Sequence, residues 1–473
     1  LSGEGDLPRT PTESARRTRT GVSGPGYSCR MSTVRPERRA RQLSGLPRVV
    51  DHSQPLAKRL LKSPWTWILL LLFVAYAYAL VDMYLLLHED QQQGDITIPG
   101  VTMRMVKRAA GYAWPTALVW SLIFMALDRF RPQRLLWWVV AFGWGACIST
   151  WASLYINTWA GELLMVTGGG DPGAGSRPAV FVAPFVEEAA KATILFALAV
   201  LVRYRIVSIL QSVALAGLSA IGFAFTENIV YYLRAITYSS VVIQTGDAEA
   251  AIQSLVRTRG LYTSFGHPLF TTMTGVGLAV GLRSRSKLVR IIAPVTGFCL
   301  AALGHMAFNG TASVVGDRRQ LMIMYFIALG LVLSVAGFLL GNVFKEGVRI
   351  RARLTDFVRM GWLSPRDPIV FSSVRRRFWI ALVALTRGPG TFLATQRMLR
   401  SMTELAYLRD SMTRGLIDAS GTERAKELIL QLDGLRPLAI SDTVGARIEL
   451  PRFWRRPALS PAPVDARWGP PTA

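Results

Sequence analysis

Apolar residues fall in long blocks along this chain, and the charges are confined to the stretches between them. Eight blocks approach the length of about 20 residues that a helix needs to cross a bilayer, at 65–87, 109–127, 135–156, 179–202, 206–234, 260–282, 290–312 and 320–343. The pattern predicts an all-α fold, a polytopic membrane helix bundle with about eight transmembrane helices over residues 64–344. The fifth block is long enough to tilt or to run partly along the interface. Past Phe344 the period changes. Segments 370–385 and 390–417 carry apolar residues at helical spacing, among them Leu399, Met402, Leu405, Leu408 and Met412, and 422–432 predicts a further helix ahead of Gly434. Residues 345–473 are therefore expected to form a small basic helical appendage in the cytoplasm, ending in a Pro-rich tail from Pro451. Residues 1–63, rich in Arg, Ser, Thr, Pro and Gly, have too little apolar content for a core and are expected to be a disordered basic tail. Met31 is a candidate natural start within that tail.

Charge then orients the bundle. Arg129, Arg131 and Arg134 follow the second block, Arg203 and Arg205 the fourth, and Arg283, Arg285, Lys287 and Arg290 the sixth. The alternate loops carry His88-Glu89-Asp90, a Gly-rich stretch at 168–175, and Asp247 and Glu249. The positive-inside rule places the basic loops and both termini in the cytoplasm, with Arg318 and Arg319 as the exception. The net charge of +24 is explained by these loops and tails, so the lipid bilayer rather than nucleic acid is the expected partner. Arg375-Arg376-Arg377 before Phe378-Trp379-Ile380 reads either as a contact with the anionic inner leaflet or as an ordinary basic helix start. Cys29, Cys147 and Cys299 are too few and too far apart for a disulfide framework or a thiolate metal site.

Several blocks contain groups that a membrane helix does not carry by default, since a charge at the bilayer centre costs about 2.5 to 3.5 kcal/mol on insertion scales. The fourth holds Glu187, Glu188 and Lys191, and the i,i+3 and i,i+4 spacings let the lysine pair with either carboxylate. Such pairing lets one glutamate remain ionised as a base, although an ion cluster joining helices would use the same residues. The fifth holds Glu227 and Asn228, with Tyr231 one turn on; the sixth holds His267 and Thr271, and the seventh His305 and Asn309. Counted from the outer block ends, Glu187 lies roughly 12 Å deep and Glu227, His267 and His305 roughly 10 Å deep. Four helices can thus converge on one polar cavity open to the outer face.

Such a cavity can move a cation or a proton, or it can activate water. Glu and His from different helices are able to ligate zinc, although HExxH is absent; a metal-free route has a glutamate taking the proton from water and His or Asn stabilising the oxyanion. Residues Pro184 to Lys191 resemble the EExxK motif of the PrsW intramembrane proteases, Phe223 to Asn228 their second motif, and His267 and His305 their later histidine motifs. The family is distantly similar to the type II CAAX prenyl proteases, whose HxxxN pattern is matched by His305 and Asn309. The resemblance covers residues 179–312. It implies a glutamic-type or metal-assisted intramembrane protease, with Glu187, Glu188, Glu227, His267 and His305 catalytic and Lys191, Asn228 and Asn309 in support. Metal dependence stays open, with zinc the candidate ion and His267, His305 and Glu227 the candidate ligands. It further implies a membrane-anchored single-span substrate, anti-sigma factors being the family's association, cut near the outer face. A cation- or proton-coupled transporter and a non-catalytic helix-binding scaffold are the alternatives; no internal repeat of the transporter kind is visible.

Overall fold

The computed structural model describes residues 55–93, 96–167, 177–201, 206–241, 248–417, 420–442 and 444. Most of the basic N-terminal tail, the Gly-rich 168–175 stretch, Arg203, Arg205, Asp247 and the tail from Pro451 lie outside the described residues. The described chain is helical apart from a three-residue antiparallel ribbon, Gln91–Gln93 with Ile96–Ile98. In order, the helices are α1 (Leu56–Lys62), α2 (Pro64–His88), α3 (Met103–Leu127), α4 (Leu135–Gly143), α5 (Thr150–Thr167), α6 (Ala183–Leu201), α7 (Ile209–Val241), α8 (Ala248–Arg257), α9 (Gly266–Leu282), α10 (Lys287–Val314), α11 (Arg318–Arg359), α12 (Asp367–Phe371), α13 (Val374–Thr386), α14 (Pro389–Thr413) and α15 (Ser420–Leu435). A π-helical turn, Trp144–Ser149, joins α4 to α5 into one rod; two more, Pro178–Val182 and Thr258–Tyr262, lead toward α6 and α9.

Six helices, among the described residues, are long and apolar enough to cross a membrane: α2, α3, the α4–α5 rod, α7, α10 and α11. The protein is an integral membrane protein. The other two expected spans fall short for identifiable reasons. The 19 residues of α6 include three charged groups, Glu187, Glu188 and Lys191, and α9 has only 17 residues because the backbone before Gly266 is a π turn and a loop rather than the helix expected from residue 260. Of the two, α9 is packed inside the bundle while α6 keeps one exposed face along Phe185, Ala189, Thr193, Phe196 and Val200, and α7, with 83% of its apolar window buried, is the central post.

Close approach around that post is set by small residues, as expected where lipid gives helices no hydrophobic reason to associate. A Cβ on Gly145 would stand 1.8 Å from the Ser219 carbonyl oxygen, and one on Gly222 2.0 Å from that of Phe142, so α7 touches the α4–α5 rod backbone to backbone. Gly277 on α9 and Gly297 on α10 meet in the same way, with added Cβ atoms 2.3 Å from the Ala293 oxygen and 2.5 Å from the Met273 oxygen. The histidine-bearing helices are thereby fixed side by side.

At 42 residues and a rise of 1.5 Å each, α11 is about 63 Å long, roughly twice a bilayer core. Its first half exposes apolar side chains to the lipid, whereas Leu339, Val343, Glu346, Ile350, Leu354 and Phe357 form a buried stripe along the second half. That stripe packs with α12–α15. One apolar cluster runs from Phe124, Phe130 and Leu210 at the end of the membrane bundle into Met398, Met402, Leu405 and Leu428. Arg377 closes the junction, donating to the carbonyl oxygens of Phe130 and Phe371 and to Thr403 Oγ1.

Candidate active site

One turn into α6, the chain places Glu187 and Glu188 on inward faces, both almost fully buried. Lys191 follows on the same helix and is 0% exposed. Its Nζ donates to Glu188 Oε1 at 2.8 Å and stands 2.9 Å from His267 Nδ1 and 3.6 Å from Glu187 Oε2. The i,i+3 pairing is the tighter one, and the aliphatic stem brings the ammonium 4.2 Å over the Phe223 ring. Glu188 Oε2 accepts from Thr271 Oγ1 at 2.7 Å, and His305 Nδ1 lies 3.3 Å from Glu188 Oε1 without hydrogen-bond alignment. All of Glu188's surroundings are thus protein.

His267 stands in the first turn of α9, and not two turns into a helix as the block ends imply. Its Nε2 is 2.9 Å from Glu227 Oε2 on α7. With the lysine donating to Nδ1, the consistent tautomer carries its proton on Nε2 and donates it to Glu227. Glu227 also accepts from Arg259 Nη2 at 2.6 Å, while Arg259 Nε donates to Asn228 Oδ1 at 2.9 Å and the guanidinium lies 3.8 Å over the Tyr231 ring. A continuous polar chain therefore runs Arg259, Glu227, His267, Lys191, Glu188. His305 stacks on Phe270 at 15° and meets His267 edge to face, with ring centroids 5.1 Å apart in each case.

Glu187 differs from its neighbour. Its Oε1 accepts a 3.4 Å hydrogen bond from Asn157 Nδ2 on α5, and its Oε2 makes no hydrogen bond although His305 Nε2 lies 4.0 Å away. Glu187, Glu227, His267, His305, Arg259 and Asn157 face a cavity of about 410 Å³, whose lining does not include Glu188 or Lys191. Asn309 borders the cavity too, but its amide donates to the Ala179 carbonyl in the Pro178–Val182 turn at 2.9 Å.

All eight residues singled out in the sequence are gathered here. Two partners were missed. Arg259 sits on an irregular turn, where helical periodicity gives no signal, and Asn157 is a lone amide in a block with no acid or histidine beside it. The candidate ligand set also shifts. Glu187, His267 and His305 each offer one donor atom, all within 4.8 Å of one another, and Glu227 is replaced in that trio because His267 Nε2 and Arg259 already occupy it. Two histidines and a glutamate are a zinc-type donor set, and a tetrahedral ion with bonds of about 2.0–2.1 Å needs donors about 3.4 Å apart. The trio fits such an ion in kind, and Glu187 Oε2 is orphaned, but the donors are spread over up to 4.8 Å and His267 would have to release Lys191 or Glu227 to become a ligand. Lys191 is the cation already beside it.

Residues 131–337 match the family described as PrsW family intramembrane metalloprotease. The match begins well before the expected 179–312 and takes in the α4–α5 rod that carries Asn157, as well as the lipid-facing half of α11. No curated protein and no solved structure matches the chain. Proteolysis thus stands over the transporter and scaffold alternatives: this integral membrane protein carries a PrsW family intramembrane protease domain, a peptidase domain, over residues 131–337.

Proposed function

We propose that the protein hydrolyses a peptide bond in a membrane-anchored single-span protein near the outer membrane face, and that Glu187 rather than Glu188 is the general base. The carrying observation is that Glu187 alone of the pair borders the cavity and has an oxygen with no hydrogen-bond partner. The 4.0 Å between Glu187 Oε2 and His305 Nε2 is too long for a direct bond and suits a shared water. Glu187 takes a proton from that water as its oxygen adds to the scissile carbonyl, and the proton passes on to the departing amine nitrogen. Asn157 orients the base through Oε1, and His305 faces the developing oxyanion. Glu188, Lys191, His267 and Glu227 form the polar chain that holds the two histidines in place, with Asn228 and Asn309 in support. Were a divalent ion bound, Glu187, His267 and His305 would hold it, Glu187 then serving as a ligand instead of the free base, and the ion would supply Lewis-acid polarisation of water and carbonyl.

The proposed topology has eight spans, α6 and α9 being the two short ones, with the charged groups of α6 turned into the bundle. Both termini and α12–α15 are cytoplasmic, and the cavity opens to the outside. Arg129, Arg131 and Arg134 on one side and Arg283, Arg285, Lys287 and Arg290 after α9 support that orientation. An anti-sigma factor is the substrate class carried over from the family resemblance.

The test is co-reconstitution with candidate single-span proteins. Glu187→Gln is expected to lower kcat by about 10²–10⁴, the usual contribution of a general base. His305→Ala is expected to follow it, and cleavage that survives in Glu187→Gln removes the assignment. Full activity after chelator treatment and dialysis would exclude a required metal.

A further inference from the structure

The mouth of the cavity carries a second guanidinium with no assigned task. Arg234 follows Glu227 by seven residues and Tyr231 by three on α7, so the three share one helix face, and all three line the cavity with Arg259. The two arginines are in different states. Arg259 is held by Glu227, Asn228 and the Tyr231 ring. Arg234 is exposed, and among the described residues no carboxylate lies within ion-pair distance of it. The inner wall of the same cavity presents Glu187 and Glu227, which repel an acidic side chain from the reacting centre. An anion is therefore accepted at the rim and rejected at the floor.

We propose that Arg234 forms a carboxylate-binding subsite for the substrate, so that the enzyme favours membrane-anchored proteins with Asp or Glu on the outer side of the scissile bond. Seven residues of helix separate Arg234 from Glu227 by about 10 Å, which an extended substrate crosses in about three residues. The acidic residue is accordingly placed within about three residues of the cleaved bond. The guanidinium offers a planar pair of donors suited to a carboxylate. The subsite rests on the protease mechanism proposed above only for its consequence in cleavage; the binding preference follows from the rim itself.

The experiment uses the full chain in lipid nanodiscs and synthetic single-span peptides that share one apolar segment and carry Asp, Asn or Lys at each of the three outer positions next to it. Two readouts are taken, kcat/KM with the parent and binding to the Glu187→Gln variant. The parent is expected to prefer Asp over Asn by about ten-fold and to disfavour Lys. Arg234→Gln is expected to flatten the series, and Arg234→Glu to invert it toward Lys. Because Arg234 is exposed, thermal unfolding of both variants should match the parent. An Asp-to-Asn ratio unchanged in Arg234→Gln, or no inversion in Arg234→Glu, overturns the subsite. If no peptide is hydrolysed but binding to the Glu187→Gln variant shows the charge preference, and this is lost when Arg234→Gln is added, the catalytic assignment falls while the subsite stands. Absence of any charge preference in binding overturns the subsite whether or not cleavage occurs.

Discussion

Arg259 shows how much of the site depends on one side chain outside the motifs. It bridges Glu227 and Asn228 with two different nitrogens, a geometry that an ammonium does not reproduce. Removing it leaves Glu227 with His267 as its remaining hydrogen-bond partner and frees the ring to turn. Arg259→Gln is therefore expected to lower kcat about ten-fold or more, or about 1.4 kcal/mol of barrier, with KM little changed. Arg259→Lys should recover only part of the loss. A change confined to KM would show that Arg259 contacts substrate instead of holding Glu227. The residues legible in the sequence, Glu187, Glu188, Lys191, Glu227, His267 and His305, were conspicuous because ionisable groups in apolar blocks are costly. Arg259 and Asn157 were illegible because neither stands out from a turn or a polar-spotted helix until tertiary contacts assemble around it. The difference in role between Glu187 and Glu188 was equally hidden: adjacent positions on a helix differ by about 100°, and only the packing of α5, α9 and α10 decides which faces the cavity.

Helix type followed from block length and hydropathy, as did six of the eight expected spans, but the two short helices and the interruptions did not. Three π-helical turns surround the site: one lets the α4–α5 rod touch α7, one accepts the Asn309 amide and one carries Arg259. Such turns concentrate at functional sites and have no sequence signature beyond their helical surroundings. The α9–α10 contact is the element-level feature most directly tied to chemistry, because it sets the spacing of His267 and His305. Gly297→Val would push a side chain into the Met273 carbonyl, which approaches an added Cβ at 2.5 Å. Overpacking of this kind costs about 1–3 kcal/mol, and here it also parts the two histidines. A lower midpoint in detergent thermal unfolding and loss of cleavage are expected together. Gly330→Val is the control: a Cβ there meets nothing within 4 Å, so neither property should change. Equal damage from both variants would rule out the close approach as the cause.

On the scale of the whole molecule, the membrane bundle and the C-terminal helices share an apolar core, and their junction is lined with buried polar groups. Arg131 pairs with Glu404 at 3.3 Å and Arg283 approaches Asp410 at 3.9 Å, which ties two loops of the protease domain to α14. Asp128, just past α3, is buried among Gln133, Glu346 and Arg131, and its carboxylate accepts from the Gln133 amide at 2.7 Å. Burial holds its pKa well above the usual carboxylate range, and the nearby Glu346 adds to the rise. The native state therefore keeps a proton that the unfolded chain releases above a pH of about 4. Linkage then makes the junction firmest at low pH and progressively weaker as pH rises toward the folded-state pKa. Asp128→Asn removes the titration while keeping an acceptor for the Gln133 amide. Hydrogen exchange of α13 and α14, corrected for intrinsic rates, is expected to quicken as pH is raised above about 4 in the parent and to stay level in Asp128→Asn. If both lose protection alike, the pH dependence arises elsewhere. If the parent loses protection alone, and cleavage falls with it, then the C-terminal helices brace the protease domain through Asp128 and the loop that carries Phe130.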